Sequence, residues 1–457
     1  MKSLVYEIQR REVVSALRSS SLLSNSKLVP LCALRAPSRS FAGSSLKYQD
    51  LAKLRPTPLS LKNMYLYALS GSSKTGDTDS IDNRQRIRNA VFLQRELPIR
   101  IAQRAVDLES LPYGLARTPP VRRICHIYRE YVETLTGLKS PSDTQSEEEF
   151  TNILKSQVLD RSTIPNSINE GLNSLKDDRR EVLTPRSLKM MDQALYAFFL
   201  ARVGLRFLTE HHIACEPRSR EMGVNGGLID NKCDPVKETK SCIESVRESC
   251  LDKFGVAPEI ELVPIYPNEE QTTMTYVPTH LRYMISELLL NSAEATIKHH
   301  HVPEEESPTA GALNAVKANE RSKLPPIRII VAVGAEDVSI KIGDQGGGVA
   351  RSDMGQIWTF AASTLAKEET MKSNDNVEQN IRGFGLPLAR IYARYFGGEL
   401  TLKSMEGYGV DTYLHLPVLG TDCENLPDAV ENSPGNTDSM ENDEGEQSWA
   451  NLLKNQL

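Results

Sequence analysis

Apolar residues recur every three or four positions through most of the first half of the chain, and every second position in several stretches of the rest. Residues 84–105 (RQRIRNAVFLQRELPIRIAQRA), 121–135 (VRRICHIYREYVETL), 168–175 and 184–211 carry the helical period. Pro98 lies inside the first of these, and its missing amide proton predicts a kink or a new start there. Four helices of this length make a bundle. Residues 139–149 (KSPSDTQSEEE) and 217–234, the latter with Gly223, Gly226 and Gly227, break the period with polar and turn-forming residues and are predicted loops. Residues 240–254 add one more helix.

From there the pattern changes. Residues 259–263 (EIELV) alternate as a strand does, and so do Ile327, Ile329, Val331 and Val333, then Val338, Ile340 and Ile342, with Gly334-Ala335-Glu336-Asp337 joining the last two runs into an antiparallel hairpin. Residues 280–298 hold no Pro or Gly, are rich in Leu, Met, Glu and Ala, and follow Thr279, a candidate cap; they predict a helix. A polar insert occupies 302–326 and a polar, lid-like stretch 363–382. A helix over 388–396 ends at Gly397-Gly398, where glycine supplies the left-handed residue that closes a helix. Strands over 399–403 and 411–417 flank a turn at 406–409. The fold class is therefore two-domain: an amino-terminal α-helical bundle over 49–254 and a carboxyl-terminal α/β sandwich over 255–419, between flanks at 1–48 and 420–457.

Composition narrows the function classes. With 457 residues, 39% hydrophobic and 25% charged, the chain has room for two ordinary globular domains and no run long enough for a membrane span. A net charge of -6 gives no general attraction for phosphate backbones, which argues against nucleic acid as a partner. The seven cysteines are odd in number and never spaced CxxC, so neither a disulfide framework nor a zinc cluster is indicated. His299, His300 and His301 lack matching ligands and are read as solvated loop. The first 48 residues are Arg- and Ser-rich and nearly free of acids, as a mitochondrial transit peptide is, or an unrelated disordered leader. The acidic, Asn/Ser/Pro-rich segment after 420 is predicted disordered; around Trp449 it holds either a docking element or a stray aromatic.

On the 280–298 helix, Glu287, Asn291 and Ala295 share one face, which offers a carboxylate beside an amide. Asp344 ends a strand and is followed by Gly346 and Gly348, so a carboxylate able to accept from an adenine amino group has backbone free of side chains beside it. Gly383-Phe384-Gly385 precedes a helix, the arrangement whose free N–H groups hold phosphates. The Asn291 oxygen suits a magnesium ion that bridges those phosphates, and Glu287, one turn away, suits the base that takes the proton of an attacking hydroxyl.

Glu287-x-x-x-Asn291, Asp344-x-Gly346-x-Gly348 and Gly383-Phe384-Gly385-Leu386-Pro387, in that order, resemble the nucleotide site shared by histidine kinases, Hsp90 chaperones, type II topoisomerases and MutL proteins. Within that group, Ala295-Thr296, residues 392–398 (YARYFGG), 92–100 (FLQRELPIR), Leu111-Pro112, Thr118-Pro119 and 202–206 (RVGLR) resemble the mitochondrial 2-oxo acid dehydrogenase kinases, over roughly 49–418. The resemblance implies a serine kinase on a histidine-kinase-like ATP-binding fold, in the mitochondrial matrix, that inactivates a 2-oxo acid dehydrogenase complex by phosphorylating its E1α subunit. It implies Glu287 as general base and Asn291 as magnesium ligand. It implies ATP contacts from Asn291, Ser292, Ala295, Asp344, Gly346, Gly348, Ser363, Thr364, Gly383, Phe384, Gly385 and Leu386. It implies docking to the lipoyl domain of the E2 core and a homodimer or heterodimer. The chain departs from the family pattern at Tyr283 (a histidine there), Leu290 and Glu294 (Lys and Arg), Ile381 (a glycine), Val410 (a threonine) and Ser448 (an Asp before Trp449). With two positive charges lost at Leu290 and Glu294, a negative one gained at Glu294 and no compensating cation, ATP binding is expected to weaken or its metal demand to alter, which leaves open a weakly active relative that serves as regulatory subunit of a partner kinase.

Overall fold

The computed structural model describes residues 48–60, 62–65, 78–160, 164–178, 184–215, 227–266, 272–300, 324–360 and 384–418. The helical half consists of α1 (Tyr48–Ala52), α2 (Thr78–Glu109), α3 (Pro119–Gly137), α4 (Thr144–Asp160), α5 (Ile164–Asp178) and α6 (Pro185–Ala214). α2 packs on α3, α4 and α6, and α3 on α5, which is the bundle expected from the periodicity.

Two expectations within it are corrected. Of the kink or new start predicted at Pro98, the new start is ruled out: α2 runs through it. Side chains on either side hold the helix there. Glu96 accepts from the Thr57 amide at 2.8 Å and from Arg100 at 2.8 Å, and Arg100 donates to the Thr57 carbonyl at 2.7 Å, with Glu96 and Arg100 buried beside the proline. Nor is 139–149 a loop throughout, because α4 starts at Thr144. Asp143 accepts from the Ser146 amide at 2.9 Å while Ser146 Oγ accepts from the amides of Ser142 and Asp143, a reciprocal cap in which serine takes the place of the usual Glu. The acidic run of the predicted loop includes Glu147, which is buried and bonded through both oxygens to Arg86 (2.6 and 3.2 Å).

The second half begins with β1 (Asp230–Cys233), inside the stretch predicted as loop, paired antiparallel with β3 (Met274–Tyr276); strands this short carry too few residues to show alternation. Between them come α7 (Pro235–Phe254), capped by Asp234 and closed by Gly255 at φ 72°, and β2 (Ile260–Ile265). Then follow α8 (Pro278–His300), β4 (Ile327–Val333), β5 (Asp337–Gly343), α9 (Gly385–Tyr395), β6 (Glu399–Met405) and β7 (Gly409–Pro417). α8 begins at Pro278, so Thr279 sits in its first turn instead of capping it, and it absorbs His299 and His300, which were expected in a loop. The strand order is β2-β4-β5-β7-β6, with β2 parallel to β4 and the other pairs antiparallel.

One face of this sheet is apolar by alternation. Ile327, Ile329, Val331 and Val333 of β4, Val338, Ile340 and Ile342 of β5, and Leu414 and Leu416 of β7 are buried. α7, α8 and α9 pack in that order against one another and on the sheet, giving the predicted two-layer α/β sandwich. α6 packs in turn against α9, so the bundle meets the layer that carries the candidate site. The five described cysteines are free and buried, and no described helix is long and apolar enough to cross a membrane.

Candidate active site

α8 buries Leu281, Met284, Ile285, Leu288, Leu289 and Ala293, which fixes its rotation on the sheet. The opposite edge is left with Glu287 partly buried, Asn291 exposed and Ala295 partly buried, the single face that the spacing predicts. From Glu287 to Ala295 is two turns, about 12 Å along the axis. Different loops meet the two ends of that stripe.

At the Ala295 end lies Asp344, directly after β5 and 7% exposed. Its Oδ1 accepts from the amides of Gly346 (2.9 Å) and Val410 (3.2 Å), and the buried Ser292 of α8 adds a side-chain hydrogen bond. Burial pushes the Asp344 carboxyl above its ordinary value, and these three bonds pull against it. Gly346 approaches α8 more closely than any side chain permits, since a methyl there would lie 2.6 Å from Ala295 Cβ. Gly347 and Gly348 take φ 82° and 72°, and a side chain on Gly348 would strike the Met405 carbonyl. The Gly347 amide donates to Tyr408 O at 3.1 Å and its carbonyl accepts from Gly407 at 2.8 Å, so the loop is locked under the β6–β7 turn. His300 Nε2 sits 2.8 Å from Gln345 O and ties the helix end to the same loop.

At the other end, Glu287 meets α9. Its carboxylate lies against Gly385, the first residue of that helix, in the space a side chain on Gly385 would fill. Burial raises the Glu287 pKa to about 7, with a smaller repulsion from Glu294. Phe384 is fully buried and its ring packs among aromatics, so what it offers a ligand is backbone; Leu386 is partly buried. Tyr283, where the resemblance implies histidine, is driven well above its ordinary pKa, first by burial and then by Glu287, and stands 4.9 Å from the Tyr392 ring. It stays neutral and hence is no base.

Glu294 is not the bare charge expected. Lys253 of α7 holds one oxygen at 2.5 Å and Lys298, one turn along α8, the other at 3.1 Å. Lys298 was readable in sequence as an i, i+4 partner, whereas Lys253, 41 residues away, was not. The Val410 contribution to Asp344 also escaped, because it comes from a backbone amide that no residue type reports. Ser363, Thr364, Gly383 and Ile381 lie outside the described residues.

No trio of His, Cys, Asp or Glu able to hold a metal occurs among the described residues. A magnesium ion bound chiefly through phosphates and water needs only one hard protein oxygen, and the exposed Asn291 amide fits that need.

Residues 58–238 match the family described as mitochondrial branched-chain alpha-ketoacid dehydrogenase kinase, and residues 276–420 the histidine kinase-, DNA gyrase B-, and HSP90-like ATPases. The two matches follow the order of bundle and sandwich, so the second domain has the histidine-kinase-like ATPase fold. The chain is 35% identical over 349 residues to the mitochondrial pyruvate dehydrogenase (acetyl-transferring) kinase of Arabidopsis thaliana, covering 75% of this chain and 88% of that one. Against isozyme 1 of Mus musculus the identity is 28%, covering 87% and 89%. Against isozyme 4 of the same organism it is 28%, covering 90% of each.

Proposed function

The chain belongs to the mitochondrial pyruvate dehydrogenase kinase family, and from that premise we propose that it transfers the terminal phosphoryl group of ATP to a serine of the E1α subunit of a pyruvate dehydrogenase complex and so inactivates it. Asp344 accepts from the adenine amino group, with Ser292, Gly346 and Val410 holding the carboxylate in place. Ala295 and Gly346 form the close-packed wall beside the base. The amides at the start of α9, Gly385 among them, bind phosphate oxygens at the positive end of the helix dipole. Asn291 holds magnesium, which when bound neutralises phosphate charge. Glu287 accepts the proton of the serine hydroxyl, and a carboxylate with a pKa of about 7 suits that task near neutral pH. Docking to the lipoyl domain of E2, a dimeric state and a place in the matrix belong to the same reading.

The observation that supports it most is the seating of the Glu287 carboxylate, whose pKa burial raises to about 7, against Gly385, the first residue of α9. The test incubates the full chain with Mg-ATP and, side by side, the E1 components of the pyruvate and branched-chain dehydrogenases. Phosphate transfer lost in Glu287→Gln supports the kinase, and the preferred E1 names the substrate. Leu290, apolar where the resemblance implies a lysine, favours a second reading: a chain that binds ATP and the E2 core but transfers nothing and regulates a partner kinase. Transfer undiminished in Glu287→Gln would remove the assigned base.

A further inference from the structure

Three phenylalanines from distant parts of the chain meet where the bundle touches the candidate site. Phe199 of α6 stacks on Phe360 at 4.8 Å and meets Phe384 edge-on at 5.6 Å, while Phe360 and Phe384 meet edge-on at 5.1 Å. All three are at most 1% exposed. Phe384 directly precedes Gly385, the residue against which the Glu287 carboxylate is seated. Asp192, seven residues before Phe199 and therefore on the same face of α6, accepts from the Phe360 amide through Oδ1 at 2.8 Å. Tyr196, between them on that face, hydrogen-bonds Arg394 of α9, whose guanidinium is paired with Glu399 at 2.8 Å. Two residues before Phe360, the Trp358 ring lies under Arg390 of α9 at 4.3 Å.

We propose that the Asp192–Tyr196–Phe199 stripe of α6 is a positioning device for phosphoryl transfer, holding Phe360 and Phe384 so that the start of α9 stays in register with Glu287. The proposal rests on the kinase reading above. None of the three touches the reacting atoms; they act through Phe384 and Gly385. The geometry is economical in physical terms. Stacked and edge-on rings have preferred separations and orientations, so a triad fixes position where an aliphatic contact would only exclude water. The Asp192 bond adds a charged acceptor to a single backbone donor, which defines the height of Phe360 along α6. A displacement of α6 in the bundle is thereby passed to the phosphate-binding end of α9.

The test measures the dissociation constant for Mg-ATP, KM and kcat for the full-length chain and four variants, together with the emission of Trp358 in a Trp449→Phe background. Asp192→Ala and Phe199→Leu are expected to weaken ATP about tenfold and to shift Trp358 emission. Asp192→Asn, whose side-chain oxygen still accepts from the Phe360 amide, is expected to stay within twofold of wild type, as is Gln193→Ala on the exposed side of α6. ATP affinity and KM unchanged in both Asp192→Ala and Phe199→Leu overturn the proposal, even if thermal stability falls, since that is what purely structural residues would do. Should Phe199→Leu fail to fold, Asp192→Ala, at a half-buried position, decides alone. Wild type that transfers phosphate while both variants do so equally well sinks this inference and spares the kinase reading; wild type that binds no ATP sinks both.

Discussion

Glu287 must be ionised before it can accept a proton, and its pKa of about 7 places that condition in the physiological range. The expected kcat/KM therefore rises with pH up to about 7 and levels off above it. Because Glu294 contributes to that raised value, Glu294→Gln should move the inflection to lower pH, and Lys253→Met, which strips a cation from Glu294, should move it higher; initial rates across pH 5.5–8.5, a range chosen to bracket about pH 7, check both signs. The same group costs stability. A carboxyl whose folded pKa lies above its ordinary value of 4.5 loses relative stability as pH rises from there through about 7. Glu287→Gln does not titrate, so it should be more stable than wild type at pH 8 by on the order of 2 kcal/mol, the partial exposure of the carboxylate screening some of the charge, and about equal to wild type at pH 4.5. Denaturant melts at the two pH values test this. Gly385→Ala should abolish transfer, since its methyl group takes the space of the Glu287 carboxylate, and a rate measurement alongside circular dichroism separates that from misfolding. At this scale the acid, the amide and the aspartate were legible in sequence because each sits in a short motif. The neutralisation of Glu294 was half legible, Lys298 being four residues off and Lys253 on another helix.

Among the elements, α4 shows how charge misleads. The run containing Glu147 looks like a solvated loop, yet Glu147 is buried, bound by Arg86 and Thr151 and lying 3.3 Å from His212. Burial alone would raise its pKa; the bonds from His212, Arg86 and Thr151 outweigh it and hold the carboxyl at about 2. A depressed carboxylate contributes stability above its ordinary value of 4.5 that is lost as pH falls through about 2, so acid unfolding should begin early in this bundle. Glu147→Ala leaves Arg86 buried without its counter-charge and should cost about 3–5 kcal/mol, measured by urea denaturation at pH 7. α2 makes the complementary point, because a proline that locally disfavours a continuous helix is overruled by the buried Glu96–Arg100 pair on both sides of it. β1 and β3 could not be read at all, since three or four residues cannot display a period.

For the molecule as a whole, nearly all the buried apolar side chains among the described residues form one continuous cluster from Leu51 in the bundle to Leu416 in the sheet. Bundle and sandwich are therefore expected to unfold together, and thermal melts of the Trp449→Phe chain followed by far-ultraviolet circular dichroism and by Trp358 emission should coincide; two separated transitions would contradict a shared core. Both layers were readable in the chain because a helix or a strand declares its buried face through its own period, 3.6 or 2, over neighbouring residues. The ordered motifs likewise pointed to an acid, an amide, an aspartate and glycine turns as candidates for a nucleotide site. Three things only the tertiary structure decided: that Gly385 closes on Glu287, that Lys253 reaches Glu294, and that α6 reaches Phe360 and Phe384. Each is a meeting of residues far apart along the chain, governed by how faces pack, and a local pattern carries no record of which faces will meet.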